Sequence, residues 1–395
     1  MPLKYDAIIV GLGPAGAAAA YKLASNGLMV LALDKEKFPR YKTCGGAVSY
    51  KVNKILNMDF SSAAEDVTEG IVFSFRAKRQ IFIPHNTPIA TMVMRDRFDN
   101  LLAEKAKAKG VEILYNIKVN GIEEDDSQVV VKTEKEDFKA SAVVAADGAS
   151  SFIARDYFKI PLKPNTLTIE GEFSLDKEIL STLKGKAIID FGLIPWGYGW
   201  IFPKGNNLSV GIAGLSSKTN SNFKNYYNEF VKRHDILKGL KPIREGGWII
   251  PQFLGNKIKI SGKRILLAGD AAHIVDPFIG EGIYYAIRSG QIAANAITCG
   301  IKNNDFTSYE KEIEREIYPE LEAAQKVADM VYSYPKIWSS MLEADTAFIK
   351  KYYDVITGDC SYQAFLQEIL TTSKFSILIK AVKGWLKEVI RWEGS

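Results

Sequence analysis

The chain has 395 residues, 47% of them hydrophobic and 25% charged, the composition of a globular protein and not of a disordered or fibrous one. A net charge of +5 and a pI near 8.7 are too weakly basic to argue for nucleic acid, but they suit an anionic cofactor or a membrane surface. Cys44, Cys299 and Cys360 form no CxxC pair, zinc pattern or iron–sulfur set, so no metal is expected and a reducing, cytoplasmic setting is. No run of about 18 uninterrupted apolar residues offers a membrane span, and no leader is expected ahead of the first strand.

Tyr5 to Val10 is a short apolar run rich in β-branched residues. Gly11-Leu12-Gly13-Pro14-Ala15-Gly16 follows at once, then an alanine-rich stretch to Asn26, and a second apolar run from Leu28 that ends in Asp34. Strand, glycine turn, helix, strand and acid make a dinucleotide-binding βαβ unit. Gly11 allows the tight turn, Gly13 leaves room for a pyrophosphate, and Gly16 lets helix and sheet pack closely. The helix N-terminus then aims unpaired N–H groups at the phosphates. Asp34 can accept hydrogen bonds from ribose hydroxyls.

The basic segment from Lys35 to Ser49 reads as a loop able to run along a cofactor. It contains Cys44-Gly45-Gly46-Ala47, in which Cys44 either lines a reactive face or is simply a small apolar residue. Residues 70–91 alternate as strands, and Val93 opens a helix that stops at Gly110. Arg95, at its start, either reaches a phosphate or is an exposed arginine. Strands over 111–115 and 118–122 and a hairpin over 128–140 lead to the buried strand 142–146, which ends in Asp147-Gly148. This return to a sheet implies a discontinuous nucleotide domain.

From about Pro161 to Gly255 the pattern is mostly alternating strands, with a helix near 222–232. Alternation puts Trp196, Tyr198, Trp200 and Phe202 on one strand face, as an aromatic core or the wall of an apolar tunnel. Arg264 to His273 is again strand then turn, and holds Gly269-Asp270. Gly280-Glu281-Gly282-Ile283 opens a helix to Gly300. His273 reads as structural. Beyond Lys302 the chain is expected to be helical to its end. Phe375, Leu378, Val382, Trp385, Val389 and Trp392 form the apolar stripe of a basic amphipathic helix that caps a domain or meets a membrane or partner.

Four segments, residues 11–34, Asp147-Gly148, Gly269-Asp270 and the turn from Gly280 to Ile283, together resemble the FAD-dependent oxidoreductase superfamily that includes para-hydroxybenzoate hydroxylase. Within it the chain is most similar to the geranylgeranyl reductases. The resemblance rests on Pro39-Arg40-Tyr41-Lys42-Thr43-Cys44-Gly45-Gly46 and on Tyr198-Gly199-Trp200-Ile201-Phe202-Pro203, followed by Gly211. Here that run ends Gly211-Ile212-Ala213-Gly214, one residue looser than the usual glycine pair.

The resemblance implies an α/β fold with an α+β substrate domain. A discontinuous Rossmann-like FAD-binding domain (1–70, 92–160, 257–300) would carry a mainly antiparallel substrate domain (71–91, 161–256) and a C-terminal helical region (301–395). It implies FAD contacts at Gly11, Gly13, Ala15, Gly16, Asp34, Cys44, Gly45, Ala47, Arg95, Val119, Asp147, Gly148, Gly269, Asp270, Gly280, Gly282 and Ile283. The isoprenoid would meet Tyr198, Trp200, Phe202, Pro203 and Gly211. Cys44, Tyr198 and Trp200 would serve catalysis.

The implied reaction saturates C=C bonds of geranylgeranyl chains, in isoprenoid lipids or their diphosphate precursors, by hydride from flavin N5 plus protonation. The electron donor would be NADPH or a reduced carrier such as ferredoxin, since the sequence has no second strand–GxGxxG–helix unit. The protein is expected to be a cytoplasmic monomer, peripheral to the membrane if the C-terminal helix docks there. Rival readings are a flavin monooxygenase or halogenase on the same fold and a non-catalytic FAD-containing lipid carrier. An electron-transfer flavoprotein:quinone-type oxidoreductase would need a cluster that three scattered cysteines cannot ligate.

Overall fold

The computed structural model describes residues 4–56, 58–161, 165–219 and 222–371. The amphipathic stripe from Phe375 to Trp392 lies outside them. In chain order, β1 (Tyr5–Val10), α1 (Pro14–Ser25) and β2 (Val30–Asp34) form the opening unit. Next come β3 (Ala47–Ser49), α2 (Val52–Ile55), β4 (Ala64–Thr68), β5 (Gly70–Phe75), β6 (Lys78–Pro84), β7 (Ala90–Val93) and α3 (Arg95–Ala108). Four strands follow: β8 (Glu112–Tyr115), β9 (Val119–Glu124), β10 (Val129–Thr133) and β11 (Asp137–Ala145). After β12 (Asn165–Ser174) come α4 (Lys177–Leu183), β13 (Lys186–Phe191), β14 (Gly197–Lys204), β15 (Asn207–Leu215), α5 (Phe223–Arg233) and β16 (Arg244–Pro251). The chain continues through β17 (Ile265–Leu267) and α6 (Ile283–Gly300). It then runs through α7 (Ser308–Glu316), α8 (Tyr318–Ser333), α9 (Pro335–Ala344), α10 (Ala347–Thr357) and α11 (Tyr362–Thr371).

The first sheet has the order β8-β2-β1-β11-β10-β9, with β17 also on β11. β1 pairs in parallel with β2 on one side (Ile8 opposite Leu31) and with β11 on the other (Ile8 opposite Val143). β1 thus lies between β2, next to it in sequence, and the much later β11, and it is at the carboxyl end of such a switch in strand order that these sheets bind ligands. β1, β2 and the last four residues of β11 are nearly all buried, as strands covered on both faces must be. The apolar segments expected over 137–140 and 142–146 fall, up to Ala145, in one strand, β11, whose first half pairs antiparallel with β10.

The second sheet, β16-β12-β15-β14-β13-β5-β6, is antiparallel except for β13 on β5. Its two faces bury different cores. Ile188, Ile201, Val210 and Ile212 point to α4 and α5, whereas Ile71, Phe73, Ile189, Phe191 and Tyr198 point to α8–α11. The alternation Ile188/Ile189 thus divides two hydrophobic clusters. A small third sheet, β3-β7-β4, which the pattern over 70–91 did not announce, joins these layers. Among the described residues no helix is long and apolar enough to cross a membrane.

Candidate active site

One cavity of about 660 Å³ runs from the carboxyl end of β1 to α9. At its first end stand Gly11, Gly13 and Ala15 of the turn into α1, Asp34 at the end of β2, and Asp147 and Gly148 after β11. Pro14 occupies the first turn of α1, where its missing N–H is no loss. Gly11 has φ 90°, and a Cβ there would lie 2.4 Å from the Ala146 carbonyl oxygen. A Cβ on Gly13 would meet nothing within 4 Å. The helix N-terminus therefore faces open cavity, which fits a pyrophosphate. Gly16 does not line the cavity. A Cβ there would fall 1.8 Å from the Gly11 carbonyl oxygen, so its role is close packing.

Asp34 accepts the Leu12 N–H (2.7 Å) and the Glu36 N–H (2.9 Å), while burial raises its pKa. Its two oxygens retain lone pairs toward the cavity, the acceptors a ribose diol requires. Asp270 and Gly282 come from different turns, yet a Cβ on Gly282 would lie 3.4 Å from Asp270 Oδ1. Gly269 lies behind them. Its N–H donates to Ser289 Oγ at 2.9 Å, and it packs on Ala15 and Ala286 without lining the cavity. Ala47, Arg95, Val119, Asp270, Gly280, Gly282 and Ile283 do line it. These acids, glycine turns and the helix N-terminus fit an FAD.

Arg95 makes a paired bond to Asp99, 2.8 Å from Nε and 2.9 Å from Nη2. Burial works to lower its pKa, but the Asp99 carboxylate and contact with Cys44 outweigh it and the pKa is raised. Lys42 lies in the same wall, its Nζ 3.7 Å from the Trp248 ring centroid. Burial, and then the charge of Arg95, lower its pKa to about 8.

The Cys44-Gly45-Gly46 loop is held by the second sheet. Glu170 of β12 accepts the Cys44 N–H at 2.5 Å, and Lys204 of β14 donates to the Cys44 carbonyl at 3.0 Å. Lys204 and Glu170 are themselves 3.8 Å apart, with side chains only 2% and 1% exposed. Ser209 of β15 bonds Glu170 and accepts the Trp200 indole N–H at 3.1 Å. The Gly46 N–H lies 3.4 Å from Cys44 Sγ. The sequence reading omitted Lys204 and Glu170, yet alternation along β14 places Lys204 on the face of Trp200 and Phe202, an unusual place for a lysine.

Tyr198, Trp200 and Phe202 form an aromatic ridge with neighbouring centroids 6.0 and 6.2 Å apart. A Cβ on Gly45 would lie 3.1 Å from the Phe202 ring, and one on Gly280 would lie 3.7 Å from Tyr198 Oη. The ridge thus bridges the two loops that flank the expected flavin position. The Tyr198 hydroxyl donates to the Ile279 carbonyl at 2.5 Å, and burial raises its pKa. Trp196 departs from the expected stripe. It precedes β14 with φ 48°, does not line the cavity, and lies under Lys218, whose Nζ is 5.1 Å from its ring centroid. Pro203 and Gly211 also lie outside the lining. Pro203 alternates to the opposite face, and Gly211 leaves space for the Trp200 ring, which a Cβ would approach to 2.1 Å.

Beyond the ridge the wall is almost wholly apolar: Ile71, Phe73, Ile81, Ile189 and Phe191 face Trp338, Leu342, Phe348 and Ile349. The helical contribution was missed because helical periodicity reveals an apolar face but not what that face covers. Next to the Gly280 turn lies a buried polar cluster. Lys51 pairs with Glu281 at 2.5 Å, and Asp276 accepts the Tyr362 hydroxyl at 2.6 Å. Burial, with Glu281 nearby, pushes the Asp276 carboxyl up to about 6. His273 is structural, its Nδ1 2.9 Å from the Gln252 carbonyl.

Residues 4–174 match the family model described as an FAD binding domain, and residues 178–247 match the geranylgeranyl reductase catalytic domain. A geranylgeranyl diphosphate reductase of Rhodobacter capsulatus is 32% identical over 322 residues, 76% of this chain and 77% of that protein. A digeranylgeranylglycerophospholipid reductase of Methanocaldococcus jannaschii is 31% identical over 330 residues, 79% and 81% of the two chains. Among solved structures, a geranylgeranyl bacteriochlorophyll reductase-like protein from Thermoplasma acidophilum superposes with a TM-score of 0.78. It is 24% identical, with 97% of this chain and 99% of that one covered. A flavin-dependent brominase superposes at 0.72 and 19% identity, covering 97% and 99%, a likeness of fold alone. Matched over both the nucleotide and the catalytic segments, the chain belongs to the geranylgeranyl reductase family of FAD-dependent oxidoreductases.

Proposed function

We propose that this protein saturates C=C bonds of geranylgeranyl or related polyprenyl chains, carried by an isoprenoid lipid or its diphosphate precursor. One observation carries the reading: a single cavity joins glycine turns and acids suited to FAD with an apolar, aromatic-walled channel suited to an isoprenoid. FAD, when bound, supplies a hydride from N5 of its flavin. An isolated trisubstituted alkene has no carbonyl to take up negative charge, so a proton must reach its other carbon.

The residues divide that work. Gly11, Gly13, Ala15, Asp34, Asp147, Asp270 and the Gly280–Ile283 turn would hold the cofactor, with Arg95 and Val119 beside it. Tyr198 and Trp200 present ring faces that stabilise positive charge developing at the more substituted alkene carbon. Tyr198 is a poor acid here, because its proton is committed to the Ile279 carbonyl and burial raises its pKa. That leaves Cys44, which lines the same wall, as the side chain we assign to proton delivery. The channel from Phe202 to Leu342 holds the chain in register, so that remote isoprene units aid positioning. NADPH or a reduced protein carrier such as ferredoxin would deliver electrons by a transient visit.

The reading is tested by chemically reducing the FAD-loaded protein without oxygen and adding a geranylgeranyl substrate. Return of oxidised-flavin absorbance with a more saturated product is expected; a flavin that stays reduced would favour the non-catalytic carrier. Cys44→Ala should lower the turnover number at saturating substrate at least tenfold, and unchanged turnover would remove Cys44 as donor.

A further inference from the structure

The cavity wall built by β5, β6, β13 and α8–α10 carries one charged side chain among the described residues, Arg79. The rest of that wall is apolar except for Ser74, Ser339 and Tyr352. Arg79 lines the cavity while its side chain is 60% exposed, which puts it where the channel meets solvent, with Glu343 of α9 as its ion-pair neighbour.

The backbone there is unusual. Arg79 has φ 48°, a left-handed conformation rare for a long side chain. It falls where β6 carries an extra residue against β5, between the pairs Phe73–Ile81 and Phe75–Lys78. Such bulges re-aim side chains, and strain of this kind accumulates at functional sites. The nearest carboxylate, Glu343 of α9, is 3.8 Å away and itself 40% exposed, a loose pair that a stronger anion can displace. An isoprenoid filling the channel from the Cys44 end would leave its head at this opening.

Resting on the reductase reading, we propose that Arg79 is a subsite for the phosphate oxygens of the substrate's head group, and so the residue that favours phosphorylated over uncharged polyprenyl substrates. A guanidinium matches phosphate oxygens in a two-pronged geometry that neutral alcohols, esters and quinones do not offer. The phosphate can belong to a prenyl diphosphate or to a phosphoglycerol lipid.

The test compares reduced FAD-loaded wild type, Arg79→Gln and Glu343→Gln on geranylgeranyl diphosphate, a digeranylgeranylglycerophospholipid and uncharged geranylgeraniol. In Arg79→Gln, the kcat/KM ratio of a phosphorylated substrate over the alcohol should fall about tenfold, chiefly through KM. In Glu343→Gln the same ratio should rise, because a competing carboxylate is gone. A fall for the diphosphate alone assigns the subsite to free prenyl diphosphate, and for the phospholipid alone to the lipid head group. Turnover of all three substrates with ratios unchanged in both variants overturns the subsite and leaves the reductase reading standing. Absence of turnover of any substrate by wild type overturns both.

Discussion

Lys42 is the residue on which the chemistry of the nucleotide end can be weighed most simply. Its half-buried side chain stacks on Trp248 near Arg95, and desolvation together with that neighbouring charge brings its pKa to about 8. A base whose pKa is depressed by folding favours the neutral form, so the stability it contributes is present at high pH and lost as pH falls through about 8. An anionic ligand reverses that preference. FAD should therefore bind the apoprotein more tightly as pH drops from about 9 to about 7, with one proton taken up on binding. Titration calorimetry in buffers of different ionisation enthalpy measures that uptake. Lys42→Met should flatten the dependence, and an unchanged slope would place the titrating group elsewhere. The sequence displayed Lys42 within a basic loop but gave no sign of its stacking on Trp248 of a distant strand.

At the scale of elements, β14 joins the two halves of the site. Its aromatic ridge was readable, because Tyr198, Trp200 and Phe202 alternate in the sequence. Trp196 belonged to the same alternation on paper, yet the chain turns left-handed there and takes it out of the strand. The Lys204–Glu170 pair was not readable, since it unites β14 with β12 and both with the Cys44 loop. Breaking one side of so buried a pair leaves an uncompensated charge. Lys204→Met should cost about 3–5 kcal/mol in urea unfolding. Adding Glu170→Gln should restore part of that stability but not turnover, because the Cys44 N–H and carbonyl lose their charged partners. A double variant as active as wild type would show that the clamp does not position Cys44.

For the whole molecule, the βαβ opening, the discontinuous return of β11 and β17 and the mainly antiparallel second sheet could be read in order from local patterns. What local patterns could not supply was the closure of the cavity by the helices after Lys302. Asp276 ties that closure to the flavin-side turn: it accepts the Phe278 N–H at 2.6 Å and the hydroxyl of Tyr362 on α11 at 2.6 Å. Burial raises its pKa to about 6, above the value of an unfolded aspartate, so its contribution is fullest below about pH 4 and is lost as pH rises through about 6. Asp276→Asn should therefore compare better with wild type in melting temperature at pH 7 than at pH 4.5. A difference that is constant across that window would show that Asp276 does not titrate there.

In the proposed reaction hydrogen is added to an isoprenoid held in the channel. Mass spectrometry of the product, after reduced FAD-loaded protein has met a geranylgeranyl diphosphate or lipid without oxygen, tests this most directly. The expected product gains two hydrogens for each bond saturated, matched by one flavin reoxidised. An unchanged substrate mass, or turnover only in air with oxygen or halide added to a product, would contradict it.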